Sequence, residues 1–382
     1  MDWTVTPGGD RTLSALLPSA LGALGVAGGI DRIGLPRCRA VAVLLLDGLG
    51  WSLLHEHADD APFLASLATG APLRAGFPTT TATSLTSLGT GLDSGAHGIV
   101  GYSFADPAVG VLHPLAWAVR EAPGRNRNVL DEFPPELAQP EPTALERAAE
   151  AGVRVRTVVP AEFRGTGLTR AALRGGEFRG VRTLGELGAE VLDALTGEGP
   201  ALCYGYHGHL DQLGHVHGPG SPSWRIQLAQ IDRLVETLAN RLPAGAALLV
   251  TADHGMVGVD PAEALDVDTT PELSEGVRML AGEARARHVY VDRGAREDVL
   301  AAWSAAVGER GLVRTGEQAA ADGWFGPVVT DRARRRIGDV LAVMRDSAII
   351  RGTAEPAESA LRGQHGSLTE AEQLVPLLVA RN

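Results

Sequence analysis

Val41-Ala42-Val43-Leu44-Leu45-Leu46-Asp47-Gly48-Leu49-Gly50 is six apolar residues followed by a carboxylate and flexible backbone. A run this short is too brief for a typical helix and suits a strand buried on both faces of a sheet. Three more such runs occur at Val153–Val159, Ala201–Tyr206 and Ala246–Thr251, with amphipathic stretches at Thr143–Ala151, Leu184–Leu195 and Ser223–Leu242. Strand and helix alternate as in a parallel, doubly wound sheet, so the expected fold class is α/β with helices on both faces. Ligands of open α/β sheets gather beyond the carboxyl ends of the strands, which directs attention to the polar residues after each run.

Away from these runs the pattern changes. Between about 261 and 362 the alternation falters: a strand-like His288–Val291, a helix over Arg296–Val307 and a strand-like Val340–Met344 precede the last apolar run, Leu374–Val379. The expected organisation is an α/β core of 1–260 and 363–382 with an inserted cap region over 261–362. Pro123–Pro142 is polar and Pro-rich and reads as a long loop or lid edge, while Phe163–Gly180 is Gly/Arg-rich without period. The apolar Leu13–Ile30 reads as a short helix capped near Asp10: Asp2 and Asp10 precede it where an export signal carries basic residues, and Pro18 interrupts it. No uninterrupted apolar stretch reaches membrane-span length, so the expectation is cytoplasmic residence and no membrane partner.

A chain of 382 residues with 45% hydrophobic and 21% charged residues can bury a core without metal or disulfide staples, so any metal would serve function. Its net charge is −12 and all 34 basic residues are Arg. Such a surface does not attract nucleic-acid polymers or anionic lipid at long range, but a small anionic substrate can bind where metal ions make a site locally positive. Cys38 and Cys203 fit no metal-ligand spacing and read as reduced, buried thiols.

The chemistry-bearing residues cluster after the strand-like runs. Ala246–Thr251 leads to Asp253-His254-Gly255; Ala201–Tyr206 leads to a His-rich segment, 207–218, that contains Asp211 and His215; Gln364-His365-Gly366 precedes the last strand. Alone, Asp47 reads as a turn cap and each histidine as a satisfied surface or core residue. Together, Asp47, Asp211, His215, Asp253, His254 and His365 suffice for two three-ligand sites around one opening. Mixed imidazole and carboxylate donors suit Zn²⁺, with Mn²⁺ or Fe as alternatives, better than Mg²⁺ or Ca²⁺. Pro78-Thr79-Thr80-Thr81-Ala82-Thr83-Ser84 adds five hydroxyls in six residues before a helix ending at Gly89-Thr90-Gly91. Helix capping explains one or two of them. A hydroxyl at a helix N-terminus beside a metal can become an alkoxide, and the backbone N–H groups there can bind a phosphoryl oxygen.

This order of motifs resembles the nucleotide pyrophosphatase/phosphodiesterase group of the alkaline phosphatase superfamily. The resemblance rests on Asp47-Gly48, on Pro78-Thr79-x-Thr81 with Thr90-Gly91 and His97-Gly98-Ile99, on Asp211-x-x-Gly214-His215-x-x-Gly218-Pro219, on Asp253-His254-Gly255-Met256 and on His365-Gly366. It implies an alkaline-phosphatase-like fold and a metal-dependent phosphoric ester hydrolase of phosphodiesterase or nucleotide pyrophosphatase type. It further implies two divalent ions, Zn²⁺ foremost and Mn²⁺ as the alternative: one held by Asp47, Asp253 and His254 with the nucleophile Thr81, the other by Asp211, His215 and His365. The implied course is a phosphothreonine intermediate on a small phosphorylated substrate, a nucleotide or other phosphodiester. Counting back from Thr90-Gly91 sets the register of Thr81, with Thr79, Thr80 and Thr83 as alternates.

Two positions depart from the family pattern. Ser84 stands where an Asn usually helps bind a phosphoryl oxygen, and its hydroxyl can donate there with a shorter reach. His209 stands where an acid is common, and it is read with His207 and His217 as a loop or supporting residue. A sulfatase is excluded, since neither cysteine lies in a C/S-x-P-x-R segment. A phosphomonoesterase or phosphonate hydrolase of the same superfamily is the alternative, and a non-catalytic binding protein would require ligands to be missing. Either Arg164, Arg170, Arg174 and Arg179 or the surroundings of Trp324 and Phe325 are expected to shape substrate choice, unless the arginines form a solvated face.

Overall fold

The computed structural model describes Thr4 and residues 9–122 and 125–382; Asp2 and Pro123 of the sequence reading lie outside the described residues. Six strands form the central sheet: β1 (Ala40–Leu46), β2 (Arg154–Pro160), β3 (Glu177–Val181), β4 (Ala201–His207), β5 (Ala246–Thr251) and β6 (Leu377–Arg381), in the spatial order β6-β5-β1-β4-β2-β3. Every residue of β1 is buried, and it runs parallel to β5 and β4 on either side, with Leu44 opposite Val250 and Gly205. Continuous apolar sequence is what a strand covered on both faces requires. The Leu184–Ala194 helix packs against β4 and β2. A Cβ on Gly205 would lie 3.2 Å from the Leu44 and Val191 side chains, so the glycine leaves room for that contact. Thr183 and Glu186 start this helix with a reciprocal capping box, as Thr143 and Glu146 do for Ala144–Glu150.

The sheet is mixed rather than wholly parallel, because β6 runs antiparallel to β5, Val379 facing Leu249. The apolar run that ends the chain is two strands, not one. Leu374–Val375 pairs with Leu73–Arg74, and β6 starts only after Pro376, which has no N–H to offer a ladder. The N-terminal helix also differs from expectation. Leu13–Ala15 is a 3₁₀ turn running into the helix Leu16–Ala23, preceded by Thr12 rather than Asp10, and its Leu13, Leu16 and Leu17 are core residues. No described helix is long and apolar enough to cross a membrane. Cys203 is buried and Cys38 only half-buried, both as free thiols.

Two sections expected to be irregular are structured. Phe163–Gly180 contains the helix Gly167–Ala172 and most of β3, the sheet edge paired to β2. The described part of 123–142 holds Arg125–Asn128, fourth strand of an antiparallel sheet with Phe104–Asp106, Gly110–His113 and Ala118–Ala122, and the helix Pro135–Ala138. Within 261–362 lies a second four-stranded antiparallel sheet, in the order Val277–Glu283, Ala286–Val291, Val340–Met344, Gly311–Thr315. The helix Arg296–Val307 packs against this sheet, and a separate apolar cluster forms around Leu273, Val299 and Trp303. The 277–291 hairpin is tied to the rest of the chain by Arg285, whose guanidinium donates to Glu372 at 2.8 and 2.9 Å with both side chains fully buried.

Candidate active site

Because β5, β1 and β4 are adjacent and parallel, their carboxyl ends open on one edge of the sheet. Asp47 is the first residue after β1, Asp253 the second after β5, and Asp211 lies in the first turn of the helix His209–His217 that follows β4. Gly48 has φ +74°, and a Cβ there would sit 3.0 Å from Asp211 Cβ. Glycine therefore allows both the turn after Asp47 and the close approach of Asp211.

The six acids and histidines form two groups. Asp47, Asp253 and His254 each place a donor atom within 4.8 Å of the others, and so do Asp211, His215 and His365. His254 Nε2 is 3.5 Å from Asp47 Oδ1 and from Asp253 Oδ2. His215 Nε2 is 3.4 Å from Asp211 Oδ2 and 3.2 Å from His365 Nε2.

The donor chemistry of both groups fits a divalent cation. Asp47 Oδ1, Asp211 Oδ1 and Asp253 Oδ2 are buried without a hydrogen-bond partner, a costly state for a carboxylate oxygen. Other acceptor atoms are held in place: the Tyr206 hydroxyl donates to Asp47 Oδ2, and the N–H groups of Gly48 and His254 donate to Asp253 Oδ1 at 3.2 and 3.1 Å. All three histidines face a backbone carbonyl with Nδ1: Gly255 O for His254 at 2.9 Å, Gly363 O for His215 at 2.7 Å and Thr79 O for His365 at 2.7 Å. A carbonyl only accepts, so Nδ1 carries the proton and Nε2 presents a lone pair to the site. Two such lone pairs face each other between His215 and His365, an arrangement that a cation relieves. Burial, followed by repulsion from Asp253 and Asp211, pushes the Asp47 carboxyl well above its usual range. Burial, followed by His254 and His215, holds the His365 imidazole well below its own.

Thr81 opens the helix Thr81–Thr90, every residue of which is buried. Its hydroxyl donates to His254 Nε2 at 3.3 Å and so faces the Asp47 group. The neighbouring hydroxyls are turned elsewhere. Thr79 Oγ1 donates to Ser367 O at 3.0 Å and accepts from Gly366 N–H at 2.9 Å; Thr83 Oγ1 donates to Ile99 O at 3.2 Å; Thr80 faces Glu283. Ser84 is fully buried one turn beyond Thr81, with its Oγ unpaired.

Two cavities meet at Thr81 and Asp211, separated by the exposed Leu115, which lines both. One, of about 270 Å³, carries Arg120, Arg287, Glu283, Glu355 and Glu358 in a wall that is mostly apolar. The other, of about 430 Å³, is walled chiefly by Tyr204, Tyr206, Phe163, Leu85 and Leu168. With this geometry in view, the family model for type I phosphodiesterase/nucleotide pyrophosphatase matches residues 41–368. The chain belongs to that family.

The family is one of metal-dependent phosphoric ester hydrolases, and this chain carries two candidate metal-ligand groups among the described residues. Human ectonucleotide pyrophosphatase/phosphodiesterase family member 7 is 43% identical over 60 residues, covering 14% of this chain and 13% of its own length. A phosphopentomutase of Anaeromyxobacter sp. (strain K) is 28% identical over 177 residues, 46% of this chain and 43% of its own. The chain thus spans less than half the length of the curated relatives it matches. Among solved structures, murine ectonucleotide pyrophosphatase/phosphodiesterase 5 aligns over 90% of this chain and 88% of its own, with a TM-score of 0.69 at 18% identity. Phosphonoacetate hydrolase from Sinorhizobium meliloti 1021, in complex with phosphonoformate, covers 91% of each chain with a TM-score of 0.65 at 20% identity. These two likenesses concern the fold, here a mixed α/β architecture.

Within this family member, several residues singled out in the sequence lie away from both cavities. Ser84 lines neither. His207 ends β4 and His209 and His217 bound the following helix, so they are not loop residues, and none belongs to the two ligand groups; His207 Nε2 is 3.2 Å from Gln227 Nε2. Arg170 pairs with Glu136 at 2.7 Å, Arg174 with Glu146 at 3.3 Å and Arg179 with Glu177 at 2.7 Å, while Arg164 stacks 4.3 Å over the Phe178 ring. Trp324 and Phe325 pack edge-on against Phe77 in the core. Neither set lines the cavities, whose walls carry Glu283, Arg120, Tyr204 and Tyr206 instead. Tyr206 had a readable signal, its place at the end of an apolar run beside an acid-bearing strand. Glu283 had none, because its hairpin is brought to the site only by tertiary folding.

Proposed function

We propose that the protein hydrolyses phosphodiesters or pyrophosphates of small phosphorylated substrates through a phosphothreonine at Thr81. One observation carries this reading: the only hydroxyl of the 79–84 cluster facing the Asp47 group lies where two cavities meet. A phosphorus atom placed there has room for a substituent on each side, which a diester has and a monoester lacks. The murine neighbour has been solved as an inactive form with a threonine replaced by alanine, in complex with AMP, in keeping with a threonine nucleophile and a nucleoside-sized substrate.

Two divalent ions, Zn²⁺ foremost and Mn²⁺ as the alternative, held by Asp47, Asp253 and His254 with Thr81 and by Asp211, His215 and His365, would supply Lewis acidity that acidifies the Thr81 hydroxyl and offsets charge on the phosphoryl and departing oxygens. The rest falls to the chain. Thr81 gives up its hydroxyl proton, which passes through solvent to the departing oxygen, and Oγ1 attacks phosphorus in line, forming the P–Oγ1 bond as the ester bond breaks and its electron pair leaves with that oxygen. The first-turn N–H groups of the Thr81–Thr90 helix have no acceptor within the helix and can donate to a phosphoryl oxygen. The three Nδ1 hydrogen bonds and Tyr206 hold the ligand side chains in position, so little reorganisation is needed. Water then displaces Oγ1, returning a proton to Thr81. Each displacement inverts phosphorus, so overall configuration is retained.

A chiral phosphorothioate diester tests the reading: retention is expected, and net inversion would remove the covalent step. A turnover ratio favouring bis-p-nitrophenyl phosphate over p-nitrophenyl phosphate is expected, and the reverse would favour the monoesterase. We also propose that 261–362 is an inserted cap on a core of 1–260 and 363–382, supported by its separate sheet and apolar cluster.

A further inference from the structure

The cavity lined by Arg120 and Arg287 holds a carboxyl group that the proposed mechanism does not use. Glu283, the last residue of the Val277–Glu283 strand, is 8% exposed and lines the cavity beside Thr80 and Thr81; the Thr80 hydroxyl and the Tyr102 N–H approach its carboxyl, but neither oxygen has a hydrogen bond of good geometry. A Cβ on Gly366 would lie 2.6 Å from its Cγ and 3.3 Å from Oε1, which places the carboxyl against the backbone next to His365. Native structures rarely leave a buried carboxyl unsatisfied. One that opens into a cavity is satisfied by what enters it.

The charges around it restrict what that can be. Arg120 donates to Glu355 at 3.2 Å and to Glu358 at 2.7 Å; Arg287 donates to Glu355 at 3.1 Å and to Ile349 O at 3.0 Å. Both guanidinium groups of the cavity are therefore already engaged with chain acceptors. His113 adds no cation at neutral pH, because burial and then Arg120 push it down to about 4. An anionic substituent, a second phosphate or a carboxylate, would meet arginines already paired to Glu355 and Glu358. A hydroxyl can donate to Glu283 and accept from it.

We propose that this cavity is the subsite for an uncharged, hydroxyl-bearing ester group of the polyol type, with Glu283 as its specificity-determining residue. This rests on the diesterase reading above and narrows it from pyrophosphates toward phosphodiesters of neutral alcohols. The aromatic cavity takes the other ester group.

The test uses three diesters that share a p-nitrophenyl group and differ in the second arm: glyceryl, propyl and carboxyethyl. With metal-loaded protein, kcat/KM for the glyceryl ester is expected to exceed that for the propyl ester by about 10-fold, the worth of roughly one well-made buried hydrogen bond, with the carboxyethyl ester slowest. In Glu283→Leu the glyceryl-to-propyl ratio falls to about one, while Glu283→Gln, which still donates and accepts, keeps part of it. Equal rates for glyceryl and propyl in the unaltered protein, or a ratio unchanged in Glu283→Leu, overturn the proposal alone; the first comparison needs no variant to fold. If p-nitrophenyl phosphate is cleaved and none of the diesters is, the diesterase reading falls and this proposal with it.

Discussion

At Thr81 the side chain has one competent direction, and its neighbours have others. Thr81→Ala is expected to lower kcat/KM for bis-p-nitrophenyl phosphate by about 10³-fold or more while leaving the circular-dichroism spectrum unchanged, since the group removed is the attacking atom. Ser84→Ala should change it by less than about 3-fold, because that hydroxyl lines neither cavity; a loss approaching that of Thr81→Ala would show that substrate reaches it. Tyr206→Phe removes the hydroxyl that donates to Asp47 Oδ2. By the usual effect of losing a partner that orients a ligand, metal affinity measured against a competing chelator should fall by about 10- to 100-fold. The ligand candidates were legible in the sequence because acids and histidines after apolar runs violate the plain pattern of a buried strand. Tyr206 was legible only by its place at the end of such a run, and Glu283 not at all. A tyrosine in an apolar run satisfies that pattern, and nothing near position 283 tells that a hairpin from a separate sheet ends at the nucleophile.

Among the elements, the Thr81–Thr90 helix depends on how closely it crosses Gly167–Ala172. A Cβ on Gly89 would lie 1.7 Å from Ala172 O, so Gly89→Ala should cost about 1–3 kcal/mol in urea denaturation and shift the helix that carries Thr81. An unchanged midpoint would mean that the two helices part easily. The parallel strands β1, β4 and β5 were readable because a strand with both faces covered is apolar along most of its length, as β1 is from Ala40 to Leu46. The edge strand β3 and Arg125–Asn128 carry exposed arginines and so leave no apolar run to detect. Nor does the apolar content of β6 encode that it runs antiparallel to β5: direction depends on the route of the preceding chain, here through Leu374–Val375 and Pro376.

For the molecule as a whole, acid is the expected weakness. Burial pushes His97 down to about 3 and His288 down to about 4, against 6.5 for a free imidazole, so both are neutral when folded and take up protons on unfolding below that value. Their folded pKa values are depressed, so stability is fully present above pH 6.5 and declines as pH falls toward 4, by up to about 2.7 kcal/mol per pH unit for the pair. Urea titrations across that range check it, and a flat profile would mean that the two sites admit water. Removing divalent ions should abolish turnover and lower Tm, since ions that bind only the folded chain stabilise it by mass action. Glu372 meets Arg285 of the 277–291 hairpin, accepts from Ser367 N–H at 2.9 Å through its side chain, and takes Gly255 N–H at 2.8 Å on its backbone oxygen. One residue thus joins the hairpin that ends in Glu283 to the loops bearing His254 and His365. Grafting a foreign hairpin here to alter selectivity would succeed only if the graft kept an arginine at position 285. Without it, an uncompensated buried charge would loosen the histidine loops, so selectivity and turnover would be inherited together.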